Sequence, residues 1–225
     1  MPILLALDAS TEACSCAVLL DGTVHERFEV VPRQHTELML PMIQDLLRQS
    51  GLVFSDLDAV AFGIGPGSFT GLRIAAGVTQ GIAFAADKPV IPVSTLAALA
   101  LEAAGEAAEA LVFSCIDARI DEIYWGWYRV RQGMPSLVGE ERLCRPELVP
   151  ESVPGNGDTR AIGNGLLYAN RLPTALVNGF VSRESDRLPR SSYIARIAAT
   201  LWQQGATIAP EAVNPVYLRD KVTHG

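Results

Sequence analysis

At 225 residues, 49% hydrophobic and 19% charged, the chain holds enough apolar matter for one or two full cores and is no disordered polymer. Its net charge of -7 and pI near 5.0 exclude a large basic face, so nucleic acid would have to be held through a partner. Cys14, Cys16, Cys115 and Cys144 show no CxxC spacing, and with Cys14 and Cys16 placed on opposite faces of a strand no disulfide or zinc framework is expected. The opening MPILLALDAS has no basic segment and no eighteen apolar residues stand together, so a cytoplasmic protein without membrane spans is expected.

Residues 3–7, 14–20 and 24–30 predict three strands, broken at Asp8 to Glu12 and at the Asp21-Gly22 turn. Thr36 to Gln49 carries apolar residues at 39, 42, 43, 46 and 47, the spacing of a helix that Gly51 ends. Pro41 removes one intrahelical bond, so this helix either starts near Leu40 or kinks there. A strand at 58–64 then runs into GPGSFTGLRIAAGVTQG, residues 65–81. Gly65, Gly67 and Gly71 permit a tight turn, and Thr70 is placed as the N-cap of a helix over 70–86. Ala75, Ala76, Gly77 and Gly81 put a narrow strip on that helix. Each of its two glycines costs roughly 1 kcal/mol against alanine, which close approach of another helix would offset. A strand at 89–93 and a helix capped by Ser94 follow, and the alanine-rich stretch 97–110 marks a boundary.

From Leu111 the order restarts with LVFSCIDAR, DEIYWGWYRV and the stretch 137–143 as three strands, and Asp117 echoes Asp8. Helical and strand signals alternate through 146–153, 160–163 and 166–171, before an amphipathic helix at 192–204. This predicts an α/β protein of two similar lobes, 1–108 and 109–191, each a mixed sheet flanked by helices. The helix 192–204 is expected on the first lobe, with the second an open alternative, and 205–225 as an extended tail.

Asp8 and Asp117 each end a first strand, the layout of a nucleotide cleft between related lobes. The glycines of working phosphate turns are missing: Asp8 is followed by Ala9, Ser10 and Thr11, and Asp117 by Ala118, Arg119 and Ile120. Ser10 and Thr11 keep hydroxyls for a phosphate or metal, while a hydrogen-bonded turn at Asp8 and Ser10 explains the same residues. Gly71 is followed by Leu72 and Arg73, so there is no P-loop lysine. Gly65-x-Gly67-x-x-x-Gly71 is one residue too long for a dinucleotide fingerprint, and Pro66 and Thr70 stand where a serine nucleophile elbow needs glycine. The histidines are His25, His35 and His224; four residues after His35 comes Met39, which breaks a helical metal pair, so no metal site and no cofactor are expected.

The segments ILLALDAST, RQHTELMLPMI, FGIGPGSFTGLRIAAG, DARIDEIYWGWY and PVYLR resemble the bacterial TsaB (YeaZ-type) family over nearly the whole chain, and GPGSFTGLR after an apolar strand carries most of the resemblance. It implies a two-lobed actin-like ATPase, ribonuclease H-like fold. It also implies a non-catalytic subunit that supports the TsaD transferase in making threonylcarbamoyladenosine next to the tRNA anticodon. TsaD-type proteins carry the metal-binding histidine pair that His35 and Met39 lack here. By similarity the partner is bound through the helices 36–49 and 70–86, offering Leu38, Met39, Met42, Ile43 and Leu46 together with Arg73, Ala76, Gly77 and Gly81. The same apolar face suits an ordinary core equally well from its spacing alone. Self-association as a homodimer is implied, tRNA contact is indirect, and an auxiliary TsaE-type ATPase is left open. A nucleotide-hydrolysing protein at the Asp8 and Asp117 cleft is the alternative, with a peptidase last for want of a nucleophile and base.

Overall fold

β1, Leu4–Asp8, and β2, Ala13–Leu20, read as unbroken apolar runs because both are covered on two faces; β3, Thr23–Val30, is mostly half-buried or exposed and forms the sheet edge. The computed structural model describes residues 1–155 and 157–219, so His224 and the end of the expected tail lie outside the described residues. β2 pairs antiparallel with β1 and β3, and β4, Ala59–Gly65, and β5, Val90–Ser94, join in parallel on the other side, in the order β3-β2-β1-β4-β5. Parallel neighbours require crossovers, which α1, His35–Gln49, and α2, Phe69–Ala86, supply.

α1 starts at His35 and runs through Pro41 without a break. Glu37 and Pro41 are both exposed, so water can take the carbonyl that proline leaves without an N–H. α2 starts one residue before the expected 70, and its N-cap is Ser68, not Thr70. Ser68 donates its own N–H to the Ser10 carbonyl at 2.6 Å, which fixes the turn there, and its Oγ accepts from the Gly71 N–H. Ser94 caps α3, Thr95–Ala104, by accepting the Ala97 N–H at 3.2 Å.

The second sheet contains β6, Glu109–Arg119, β7, Glu122–Arg131, β8, Met134–Cys144, β9, Thr159–Ile162, and β10, Phe180–Glu184. Its order β10-β9-β6-β7-β8, read backwards, is third, second, first, fourth, fifth, as in the first sheet. The helices do not repeat: short 3-10 turns at Pro146–Leu148 and Asn164–Arg171 and the five-residue α4, Thr174–Asn178, replace long crossovers. Phe113, Trp127 and Phe180 cluster with ring centroids 5.2–6.4 Å apart, Phe113 edge-on to Trp127 and stacked on the half-buried Phe180.

The chain divides into one unit of residues 1–98 and 189–215 and a second of 99–188 and 216 onward, so the break falls inside α3 and not after 108. α5, Ser191–Gln203, packs against β1, β2, β4 and β5. Its N-terminus is tied down by Ser191, whose N–H donates to Ser15 Oγ and whose Oγ donates to the Ser15 carbonyl, both at 2.8 Å. Ile208 pairs with Val90 as a lone antiparallel bridge, and Pro210–Ala212 lies against α2, so this part of the tail is docked on the first unit. Cys14 and Cys16 point to the same side of β2, into one core cluster, because side chains two apart share a face; this corrects the opposite-face expectation. Among the described residues no helix is long and apolar enough to cross a membrane.

Candidate functional site

The glycine-rich run is a backbone-to-backbone joint. A Cβ at Gly67 would overlap the Ser10 carbonyl, and one at Gly71 would overlap the Ala9 carbonyl. Both glycines therefore exist to let the start of α2 close over the turn that follows β1. The turn itself is held by Asp8, whose Oδ1 accepts from the Ser10 N–H at 3.0 Å and from Ser10 Oγ at 2.8 Å. Thr11 Oγ1 accepts from the Ala13 N–H. Asp8 is 0% exposed, Ser10 1% and Thr11 6%, so this acidic and hydroxyl cluster is turned into the chain's own structure. Burial raises the Asp8 pKa to about 6, against the pull of the two Ser10 hydrogen bonds, and its Oδ2 has no hydrogen-bond partner.

Asp117 does the same work in the second unit. Its Oδ1 accepts from the Arg119 N–H at 2.8 Å, and its Oδ2 pairs with the Arg119 guanidinium at 3.1 Å. The Asp117 N–H donates to Asn164 Oδ1, and Tyr168 lies 3.4 Å from the carboxylate. Each repeated aspartate therefore closes a turn on the N–H two residues ahead, a structural reason for the echo between the halves. His35 Nε2 donates to the Ala13 carbonyl at 3.2 Å, tying the start of α1 to β2. Among the described residues no cluster of three or more His, Cys, Asp or Glu is arranged to hold a metal ion.

The two early helices differ. Met39, Met42, Ile43 and Leu46 are buried in the first unit's own core beside Phe62 and Leu57, and Leu38 is half-buried against it. A stripe with this spacing served the core, so Met39, Met42, Ile43 and Leu46 are corrected from a partner face to an interior one, while Leu38 keeps part of its surface exposed. Ala76, 7% exposed, joins them. On α2 the outward stripe is Phe69, Arg73, Gly77, Gly81 and Phe84, all exposed, with the Arg73 guanidinium 3.9 Å above the Phe69 ring. A Cβ at Gly77 or Gly81 would meet nothing within 4 Å. Leu40 is the large apolar residue on the outward side of α1. Phe69, Phe84 and Leu40 went unread in the sequence, although each lies at helical spacing opposite the buried positions.

Comparison with known proteins bears on these features. A family model described as TsaD, tRNA N6-adenosine threonylcarbamoyltransferase, matches residues 20–173. The protein named tRNA threonylcarbamoyladenosine biosynthesis protein TsaB from Escherichia coli K12 is 40% identical over 97% of this chain and 95% of its own. Its namesake from Haemophilus influenzae Rd is 41% identical over 98% and 94%. The chain belongs to the TsaB family. The solved structure titled YeaZ from Pseudomonas aeruginosa superposes with a TM-score of 0.90 at 44% identity, covering 97% of this chain and all of that one. The two mixed sheets with flanking helices are thus the two-lobed, actin-like α/β fold of TsaB-family proteins.

Proposed function

We propose that this chain serves tRNA threonylcarbamoyladenosine synthesis as a non-catalytic subunit that binds a TsaD-type transferase through the outward face of α2 and the adjoining outward side of α1. One observation carries the reading. Gly63, Gly67 and Gly71 each have an atom of the same chain where a side chain would go, whereas Gly77 and Gly81 face open space. Two mid-helix glycines weaken α2 by about 1 kcal/mol each with no packing inside the chain to offset it. A helix backbone from another polypeptide, seated between Phe69 and Phe84, would supply that packing. The relatives' name, tRNA threonylcarbamoyladenosine biosynthesis protein, supports a role in the pathway in which such a transferase acts. The buried, self-bonded Asp8 and Ser10 favour a supporting role over nucleotide chemistry at that turn.

Gly77→Leu and Gly81→Leu, mixed with the TsaD-type protein of the same organism and run on size exclusion, are expected to lose the complex while keeping the wild-type circular dichroism of the chain alone. An intact complex overturns the assignment of the face. Calorimetry with ATP and magnesium on the isolated chain is expected to show no micromolar binding. The same α2 face is the place for self-association, read by the mass of the chain without its partner.

A further inference from the structure

The second unit holds a pocket of about 450 Å³ between β7, β8 and the C-terminal segment, lined by Trp125, Cys144, Leu148 and Leu218 and by the charged Glu140, Glu141 and Arg142. The chain enters this unit at Val216, and residues 216–219 carry no regular secondary structure. Val216 and Tyr217 face outward, whereas Leu218 and Arg219 are half-buried. The Arg219 guanidinium donates to the Ala118 carbonyl at 3.1 Å and to the Glu122 carboxylate at 2.6 Å, with Tyr124 beside it. Its Nε is buried without a hydrogen-bond partner. An arginine drawn this far from water, one N–H unanswered, is held by its ion pair and by the apolar residue before it.

We propose that Leu218 and Arg219 form a latch: the chain's own C-terminal segment is the resident ligand of a site for an apolar residue followed by arginine, and its seating supplies one wall of the pocket and shields Cys144. Glu122 and the Ala118 carbonyl read the guanidinium, and Leu218 shares its wall of the pocket with Trp125, Leu143 and Leu148. The site lies wholly in the second unit and does not depend on the α2 face. A segment of the same chemistry on another protein would compete for it.

Cys144 supplies the readout, because it lines the pocket while Cys14, Cys16 and Cys115 are fully buried. The full chain is treated with iodoacetamide and the rate at Cys144 followed by peptide mass. Arg219→Ala and Glu122→Gln, which cut the latch from its two sides, are each expected to raise that rate at least tenfold, with the buried thiols unreactive as an internal check on folding. A millimolar synthetic peptide of residues 214–219 is expected to restore protection to Arg219→Ala, and its counterpart ending in alanine to fail. Unchanged Cys144 rates in both variants, or equal protection by the two peptides, overturn the proposal.

Discussion

The carboxylate of Asp8 occupies the space that a side chain at Gly63 would need: a Cβ there would overlap Asp8 Oδ2 and touch Ile194 at 3.4 Å. β1 and β4 run side by side at this level, so neither backbone can withdraw without breaking the parallel ladder. Gly63→Ala is therefore expected to destabilise the chain by about 3 kcal/mol, as overpacking against a fixed neighbour does. Urea denaturation checks it. A loss below about 1 kcal/mol would mean that the carboxylate swings aside.

The same carboxylate sets a pH dependence. Burial raises the Asp8 pKa from 3.8 to about 6, so between those values the folded chain binds more protons than the unfolded one. The stability gained from the protonated form is complete below pH 3.8 and is lost as pH rises through about 6. Asn at position 8 keeps one oxygen for Ser10 and cannot ionise. The stability of Asp8→Asn relative to wild type is expected to be greater at pH 8 than at pH 4 by roughly 2.5 kcal/mol. Denaturant midpoints at the two pH values measure it, and a pH-independent difference contradicts it.

Gly77 and Gly81 make a prediction about the isolated chain that needs no partner. Because each faces open space on an exposed helix surface, alanine there gains helix propensity without a clash. Gly77→Ala and Gly81→Ala are each expected to stabilise the chain by about 1 kcal/mol. Thermal melts at concentrations where the chain is monomeric check this. Destabilisation by either would show that the glycine serves the chain's own fold.

Much of this architecture is legible in the sequence, since hydrophobic period and turn chemistry act locally. The strands β1 to β7 and the helices α1, α2 and α5 follow from alternation, apolar runs and 3.6-residue spacing. β10 escaped notice because its residues, FVSRE, are half-buried or exposed and carry no apolar alternation. For the candidate site the limit is different. A spacing of 39, 42, 43 and 46 says that one helix face is apolar but not what covers it, and here the sheet of the same unit does. The role of a glycine likewise depends on what stands opposite: Ala9 and Ser10 carbonyls at Gly71 and Gly67, open space at Gly77. That distinction is three-dimensional.

The hairpin joining β6 and β7 stores strain that a single substitution should release. Arg119, Ile120 and Asp121 have φ of 64°, 54° and 60°, and none is glycine. A two-residue hairpin loop with positive φ at both central positions favours asparagine and glycine, and a β-branched side chain there is costly. Ile120 is 71% exposed, so its replacement removes little core contact, while Asp121 keeps its 2.9 Å ion pair with Arg171. Ile120→Asn is expected to stabilise the chain by about 1 kcal/mol, the penalty of holding a side chain in the left-handed region, and to raise Tm by roughly 2–4 °C. Ile120→Val, equally branched, is the control and is expected to gain nothing. Calorimetric scans of the three chains decide it: a valine gain equal to that of asparagine would assign the effect to lost exposed apolar surface and remove strain as its cause.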